Sequence, residues 1–353
     1  MKKLFASLLA AVMLISLVAC GSSPDTPPST TTPDSNTETA GPEYVLKMGT
    51  HLNVGSIGDT TCQEFAKLVS EKTNGRVQVD VFPGAQLGQE MEAAEAVTLG
   101  TMDLTFVSTT AYNDVVPGFA VDCLPFLFES VDEFNYIFNE SGAGEALSQN
   151  MIDEGGHILS WIPAGFRQMY FVKEEVTSYS QIKGMKFRVP ESALYVGMVR
   201  AIDANPISVT WGETYSALQT GLAEACESPF MSITDANMQD VIKYGLTTNH
   251  MILCYLIVMN ENLLQSLPED LQAAILEAGQ EAGANASTRA LEQDDASRKM
   301  LEDAGVVIHD LPDNEVKEVQ ERMLPVREEW IGSDSVRRDI VDLIMAAKES
   351  YPG

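Results

Sequence analysis

Positive charge is scarce in this chain of 353 residues, which has 22 Lys and Arg residues against 51 Asp and Glu residues. The formal net charge is −29 at neutral pH. Nucleic acids and anionic membrane surfaces attract basic proteins, so this composition argues against both as partners. An anionic small molecule is not excluded, because exposed charges are screened beyond about 8 Å at physiological salt and a buried cation governs its own pocket.

Signatures of catalysis are missing as well. The four His residues are scattered, and we find no Ser-His-Asp spacing, no metal-ligand cluster and no phosphate-binding loop. Glu213 and Glu227 have side chains suited to acid–base chemistry, but nothing in the sequence marks them for it. We therefore expect a binding protein without catalytic residues, metal or cofactor, rather than an enzyme.

Only one long apolar run occurs, the 14 residues Leu4–Leu17, and it follows Lys2 and Lys3. It is too short to span a bilayer comfortably, and a basic start before such a run is typical of a secretion signal. The run closes on the letters LVACG around Cys20, which resemble the bacterial lipoprotein box. We predict a lipoprotein signal peptide over residues 1–20, lipid on Cys20 and an extracytoplasmic, lipid-anchored protein. An ordinary secretion signal is the alternative.

Large apolar side chains are absent from residues 21–43, which consist almost entirely of Ser, Thr, Pro, Gly, Asp and Asn. Such a segment cannot build a core, so we predict a disordered linker with a reach of roughly 25 Å. About 310 residues remain from Tyr44 onward, and this length suits two domains.

Cysteine is rare, and beyond Cys20 the sequence has four widely spaced residues of this type, Cys62, Cys123, Cys226 and Cys254. Outside the cell they have the number needed for two disulfides. Cys62 falls on a predicted helix and Cys254 in an apolar strand, which favours buried free thiols. The sequence leaves both alternatives open.

From Tyr44 onward, strand-like and helix-like segments alternate, and no internal repeat is found. Alternation of this kind predicts parallel sheets covered by helices, an α/β fold. The apolar residues 247–260 predict one long strand, and residues 269–300 predict one long helix. The other predicted strands are 44–50, 76–82, 104–108, 157–163, 168–172, 207–209 and 306–309; the other predicted helices are 59–73, 89–99, 131–138, 144–154, 192–202, 214–220, 230–241 and two within 314–350 that break near Gly332.

The cations that do occur are unevenly placed, since no Lys or Arg lies between Val77 and Phe166. The next two arginines, Arg167 and Arg188, are flanked by apolar residues. An Arg fork binds a carboxylate through two parallel hydrogen bonds, and strongly so where water is excluded. We therefore expect the chain to bind a small organic acid. The alternative for each Arg is a weak surface pair with a local Asp or Glu.

Several short motifs follow one another between residues 165 and 230. They are Gly-x-Arg-Gln from Gly165, then Ile182–Pro190, Ala204–Pro206, Glu213–Gly221 and Glu227–Pro229. In this order they resemble the solute-binding proteins of tripartite ATP-independent periplasmic (TRAP) transporters, of the dicarboxylate- and sialic-acid-binding type. The resemblance covers nearly all of residues 44–351, including the earlier segments Phe65–Val77, Phe82–Pro83, Gln86–Gly88 and Leu124–Phe128.

The resemblance implies a two-domain, periplasmic-binding-protein-like fold with a ligand cleft between the domains and a long connecting helix. We expect domain I to comprise residues 44–164 plus 254–293, and domain II residues 165–253 plus 294–353. The implied protein is a monomer that delivers its ligand to the membrane subunits of a TRAP transporter. A binding protein of an ABC importer or a chemoreceptor is the alternative with a similar fold.

The resemblance also assigns roles to particular residues. It implies that Arg188 clamps the ligand carboxylate, that Arg167 assists and that Trp211 packs on the ligand, although Trp211 also suits a core. The other expected ligand contacts are His51, Ser108, Thr109, Glu227 and Ser228.

Three departures from the family pattern bear on the ligand. Ser228 stands where Asn is common, Met91 stands where many relatives carry Arg, and the segment 77–166 contains no cation. A dicarboxylate needs a partner for its far carboxylate, because burying that charge unpaired is costly. We therefore expect a monocarboxylate with a neutral or aromatic tail, such as a 2-hydroxy acid, with a C4-dicarboxylate or a sugar acid as the alternative.

Overall fold

A computed structural model describes residues 41–140 and 142–353 of the chain. The predicted signal peptide, Cys20 and residues 21–40 of the predicted linker lie outside the described residues. Glu43, the last linker residue, is already anchored: its N–H donates to the carbonyl of Arg76 at 2.8 Å, and its carboxylate pairs with the Arg76 guanidinium. The ordered body therefore begins slightly before Tyr44.

The described residues form alternating strands and helices, as the sequence pattern predicts. The strands are β1 (Tyr44–Thr50), β2 (Val77–Phe82), β3 (Leu104–Ser108), β4 (Gly156–Phe166), β5 (Gln168–Phe171), β6 (Lys186–Val189), β7 (Asn205–Ser208), β8 (Ala225–Ser228), β9 (Tyr244–Thr247), β10 (Ile252–Asn260) and β11 (Val307–Asp310). The helices are α1 (Ile57–Lys72), α2 (Glu90–Thr98), α3 (Val131–Glu140), α4 (Ala143–Asp153), α5 (Ala193–Ala201), α6 (Trp211–Thr220), α7 (Phe230–Asp235), α8 (Glu261–Ser266), α9 (Glu269–Asp303), α10 (Asp313–Ile331) and α11 (Ser335–Lys348).

The first sheet has the order β2-β1-β3-β10-β4. Strands β1, β2 and β3 are parallel, whereas β10 runs antiparallel to both β3 and β4. Every residue of β10 is buried, because this strand lies inside the sheet and helices cover it. A continuous apolar run is the pattern expected of such a strand.

The second sheet has the order β11-β9-β5-β8-β6-β7. Strand β6 is parallel to β7 and β8, and β9 is parallel to β11, while β5 runs antiparallel to β8 and β9. The register places Gln168 opposite Ser228 and Met169 opposite Glu227. Two motifs that are 60 residues apart in the sequence therefore become neighbours.

Two of the chain's passages between the sheets lie next to each other, and the third runs through α9 to β11. Strand β4 leads into β5 at Arg167, and β9 leads into β10 through residues 248–251. The Arg167 N–H donates to the carbonyl of Met251 at 2.8 Å, and the Gln168 amide oxygen accepts from the N–H groups of Thr248 and Asn249. These bonds hold the two crossovers together.

The prediction of one strand over residues 247–260 is wrong. Asn249 has a left-handed backbone, with φ of 44°, and the N–H groups at 248 and 249 bond to a side chain instead of a neighbouring strand. The ladder therefore breaks between β9 and β10. The predicted helix over 230–241 also stops early, because Asn237 is left-handed at φ 53° and only a short 3₁₀ turn follows.

The predicted long helix is confirmed as α9, which packs against β4, α1 and α7. Its approach to β4 depends on glycine: a Cβ at Gly283 would lie 1.8 Å from the Ser160 hydroxyl oxygen. No helix in the described part of the chain is both long enough and apolar enough to cross a membrane.

Residues 41–353 form one compact unit around both sheets. The division into domain I and domain II at 164/165, 253/254 and 293/294 stays a prediction. The thiols, in contrast, are settled: Cys62, Cys123, Cys226 and Cys254 are all free and buried.

Candidate functional site

The two sheets meet at one cavity. The carboxyl ends of β1, β3, β6 and β8 reach it, together with the first residues of the antiparallel β10. Its inner part has a volume of about 40 Å³ and continues into an outer recess of about 260 Å³. The two parts share the residues His51, Glu90, Thr110, Arg188, Pro190 and Trp211. We call the inner and outer parts together the cleft cavity.

Arg188 lies in β6 and is only 2% exposed. Its Nε and Nη2 donate to the carbonyl oxygen of Val209 at 2.9 and 2.7 Å, and its guanidinium lies 5.5 Å from the centre of the Trp211 ring. None of the ion pairs within residues 41–140 and 142–353 includes Arg188. Burial lowers the pKa of Arg188, as expected for a cation held away from water. The cleft cavity thus contains a buried cation that has no carboxylate partner in the described chain.

Arg167, at the crossover from β4 to β5, is paired in a different way. Its Nη2 donates to Glu227 Oε1 at 2.8 Å and its Nε donates to Glu227 Oε2, so the pair is bidentate. Burial opposes the charge on Glu227, but the charge and hydrogen bonds of Arg167, together with His250, outweigh burial, and the pKa of Glu227 is lowered. The ring of Tyr195 covers the guanidinium at 5.2 Å. Arg167 lines the cleft cavity, but Glu227 neutralises its charge.

Glu227 is fully buried and is not part of the cavity lining. The Glu227 carboxylate accepts hydrogen bonds from Arg167, and the Nε2 of His250 lies 3.7 Å from Glu227 Oε2. The structure therefore places Glu227 behind Arg167, and direct contact of Glu227 with a ligand stays a prediction. Glu227 holds Arg167 in position, since a buried carboxylate is stable only with a charged partner.

Ser108 and Thr109 stand side by side at the end of β3, but the structure separates their roles. Ser108 lines the cavity, and its N–H donates to Glu90 Oε1 at 2.8 Å. Thr109 is excluded from the lining because its hydroxyl donates to the buried carboxylate of Asp122 at 2.6 Å. A short 3₁₀ helix begins at Thr109 and rotates successive side chains, so Thr110 faces the cavity instead.

His51 follows β1 and lines the cleft cavity, as expected. Its Nε2 lies 3.8 Å from Glu90 Oε2, and its buried Nδ1 has no hydrogen-bond partner among the described residues. Burial lowers the pKa of His51; Glu90 opposes this shift and Arg188 adds to it. An unpartnered buried nitrogen in a cavity is a hydrogen-bonding position for a ligand.

Trp211 and Ser228 also line the cavity. Trp211 begins α6 beside Arg188, and Ser228 ends β8 opposite Gln168. Met91 lines the outer recess next to Glu90. The structure thus brings together His51, Ser108, Arg167, Arg188, Trp211 and Ser228, and leaves out Thr109 and Glu227.

The cavity is also lined by Glu90, Thr110 and Tyr255, which were not predicted from the sequence. Glu90 begins α2, directly before Met91. The sequence feature that could have identified Glu90 was an acidic residue beside the position at which the family pattern has Arg. Tyr255 gave no signal, because β10 is apolar throughout and an aromatic residue suits its core. No cluster of His, Cys, Asp or Glu suited to a metal ion occurs in the described ranges.

Comparison with known proteins identifies the family of the chain. Residues 48–333 match the family of bacterial extracellular solute-binding proteins, family 7 (DctP). The chain belongs to this family. Its members are the solute-binding proteins of TRAP transporters, so the resemblance and the α/β fold expected from the sequence are confirmed. The alternative of an ABC importer or chemoreceptor protein is thereby disfavoured.

Individual relatives span most of the chain. A solute-binding protein of Chromohalobacter salexigens is 29% identical over 79% of this chain and 84% of its own. The C4-dicarboxylate-binding periplasmic protein DctP of Rhodobacter capsulatus is 27% identical over 77% of this chain and 83% of its own. A TRAP periplasmic solute-binding protein of Roseobacter denitrificans, solved with bound β-D-glucuronate, is 27% identical, covers 86% of this chain and 99% of its own, and superposes with a TM-score of 0.82.

Proposed function

We propose that this TRAP solute-binding protein captures a monocarboxylate with a hydroxylated tail, of the sugar-acid class, and delivers it to the membrane subunits of its transporter. One observation carries the proposal: Arg188 is a buried guanidinium in a cavity without a carboxylate partner in the described chain. A buried charge is costly until it is paired. A ligand carboxylate supplies the pair and accepts from the Arg188 N–H groups that do not donate to Val209.

The balance of charge favours one carboxylate rather than two. Of the two cavity arginines, Arg167 is neutralised by Glu227 and Arg188 is not. The opposite wall of the cavity carries the carboxylate of Glu90, which faces His51. A second ligand carboxylate placed there would meet a like charge in a site of low dielectric, and such repulsion is costly.

The walls around Glu90 suit hydroxyl groups. Glu90 accepts hydrogen bonds, the Nδ1 of His51 has no partner among the described residues, and Ser108 and Thr110 line the same cavity. Trp211 supplies an aromatic face of the kind on which a sugar ring packs. The bound glucuronate of the Roseobacter denitrificans relative has this chemistry, a single carboxylate on a polyhydroxylated ring. We therefore propose a ligand with a hydroxylated tail in place of the aromatic tail expected from the sequence.

The remaining sequence-based expectations belong to the same proposal. The chain acts as a monomer anchored outside the cell membrane by lipid on Cys20, with the residues between Cys20 and Glu43 as the tether. Domain I and domain II close over the acid, and the ligand shifts the protein toward the closed state by its higher affinity for that state. Loss of detergent-phase partitioning in Cys20→Ser tests the anchor, and unchanged partitioning would contradict it.

A thermal-shift screen of the purified protein tests the ligand class. The panel contains D-glucuronate, D-galacturonate, D-galactonate, lactate, phenylacetate, succinate and malate. A ligand at about 1,000 times its dissociation constant adds roughly 4 kcal/mol to the free energy of unfolding, enough for a shift of several degrees. We expect the largest shifts for the sugar acids.

The other panel members make the screen decisive. A shift with succinate or malate alone would support the dicarboxylate alternative suggested by the Rhodobacter capsulatus relative and contradict the proposal. A shift with phenylacetate alone would support a ligand with an aromatic tail and contradict the sugar-acid proposal. The absence of any shift would contradict acid binding as such.

A further inference from the structure

His51 lies between opposite charges in the wall of the cleft cavity. Its Nε2 faces Glu90 of α2 at 3.8 Å, and the field of Arg188 from β6 acts on the ring from the second sheet. Arg167 and Tyr255 are the other charged and titratable side chains of the inner lining. His51 is itself only 8% exposed, and its Nδ1 has no hydrogen-bond partner in the described part of the chain.

Burial, more than the charges around it, sets the state of His51 in the ligand-free protein. Burial and the guanidinium of Arg188 both lower its pKa, and Glu90 alone opposes them. The ring is therefore neutral at pH 7. A neutral ring carries one N–H, so His51 cannot donate to Glu90 and to a second acceptor at once.

We propose that the cleft cavity captures a carboxylate and a proton together, with His51 as the proton acceptor. This inference rests on the proposed function, because it requires an anion at Arg188. Once a ligand carboxylate pairs with Arg188, it offsets the one charge that lowers the pKa of His51, and its own negative charge adds to the field of Glu90. The proton comes from the solvent and gives His51 its second N–H.

The protonated ring completes the hydrogen bonding of the occupied site. Its Nε2–H then faces Glu90, and its Nδ1–H donates to an oxygen of the ligand. Four charged groups then alternate in sign: Arg188 is positive, the ligand carboxylate negative, protonated His51 positive and Glu90 negative. The charges of these four groups then sum to zero, which a low-dielectric environment favours.

Coupling of this kind fixes the sign of the pH dependence. The pKa of His51 is higher in the ligand-bound protein than in the ligand-free protein. Affinity therefore rises as the pH falls between these two pKa values, by at most about tenfold per pH unit for one proton. Affinity is constant with pH above and below that window.

Isothermal titration calorimetry with D-glucuronate at pH 7 measures the proton directly. The titration is repeated in phosphate, imidazole and Tris buffers, which differ in ionisation enthalpy. The slope of observed enthalpy against ionisation enthalpy gives the number of protons taken up on binding. We expect a positive slope, and a slope of zero with clear binding overturns the inference while leaving the proposed function intact.

Two variants assign the proton to its site. His51→Gln keeps a hydrogen-bonding side chain without a titratable group, so we expect binding with zero slope and no rise in affinity at lower pH. His309→Gln is the matched control, since His309 pairs with Glu175 on the surface, and it should keep the wild-type slope. Uptake that persists in His51→Gln overturns the inference. Absence of binding to the wild-type protein by any acid of the panel overturns both proposals together.

Discussion

At the scale of single residues, the two arginines of the site illustrate how partners decide function. Arg167 and Arg188 have similar sequence surroundings, and both are buried at the same cavity. Only Arg167 receives a carboxylate, because the pairing of β5 with β8 brings Glu227 next to it. Arg188 bonds to a backbone carbonyl and keeps its net charge. The unneutralised arginine is the one positioned to attract the ligand.

The Glu227 pair makes a prediction about stability. Glu227→Gln leaves the buried charge of Arg167 without its partner, and breaking such a pair typically costs about 3–5 kcal/mol of the free energy of unfolding. Urea denaturation monitored by circular dichroism measures the loss. The double variant Arg167→Met/Glu227→Met removes both charges and should recover part of it.

Exposed Glu321 provides the control for that experiment. Glu321→Gln should change the free energy of unfolding by less than about 0.5 kcal/mol, as is usual for surface substitutions. Equal stability of Glu227→Gln and Glu321→Gln would show that Glu227 contributes no essential charge to the folded protein.

The sequence predicted part of the site and missed part of it for physical reasons. The motifs around Arg167 and Arg188 are local, so six of the eight expected contacts do line the cavity. The direction of a side chain depends on tertiary partners that sequence does not display: Thr109 turns toward Asp122, and Glu227 turns toward Arg167. Glu90 was missed because an acid is unexpected in a site for an anion.

At the scale of elements, prediction succeeded where the pattern was long and failed where one residue decided it. The 35 residues of α9 carry a sustained helical pattern, and the helix is confirmed. The break between β9 and β10 depends on the left-handed Asn249 and on hydrogen bonds to Gln168 from elsewhere in the chain. The spacing of apolar residues predicts neither the left-handed backbone of Asn249 nor the hydrogen bonds to Gln168.

Asp294 joins two of these elements and gives a prediction about pH. It lies in α9, and its Oδ1 accepts the N–H of Met231 in α7 at 2.9 Å. Burial raises its pKa to about 7, above the value of about 3.9 for an unfolded chain. Between these values the folded protein holds a proton that the unfolded chain has released, so this group lowers the free energy of unfolding as the pH rises.

Asp294→Asn removes this titration and keeps an oxygen for Met231. We expect the variant to gain stability over the wild-type protein between pH 4 and pH 7, by about 1–4 kcal/mol, and to keep that gain at pH 8. Thermal or urea unfolding across this pH range measures the difference. Glu292→Gln, at an exposed position of the same helix, should track the wild-type protein. A constant difference between Asp294→Asn and the wild type at all pH values would contradict the account.

At the scale of the whole molecule, a strongly acidic protein is proposed to capture an anion. The formal net charge of −29 acts mainly through exposed groups, and salt screens such groups over about 8 Å. The cleft cavity is shielded by both sheets, and its local charge is set by Arg188, Glu90 and the Arg167–Glu227 pair. Global charge thus governs solubility, and a few buried groups govern the choice of ligand.

The most direct test of the central claim is calorimetric titration of D-glucuronate and succinate into the wild-type protein and Arg188→Met. We predict that the wild type binds D-glucuronate more tightly than succinate, and that Arg188→Met loses about 2–5 kcal/mol of binding free energy, because the ligand carboxylate loses its buried partner. Arg200→Met, at an exposed position, should bind as the wild type does. Tight binding of D-glucuronate by Arg188→Met, or a preference of the wild type for succinate, would contradict the claim that Arg188 holds a single carboxylate.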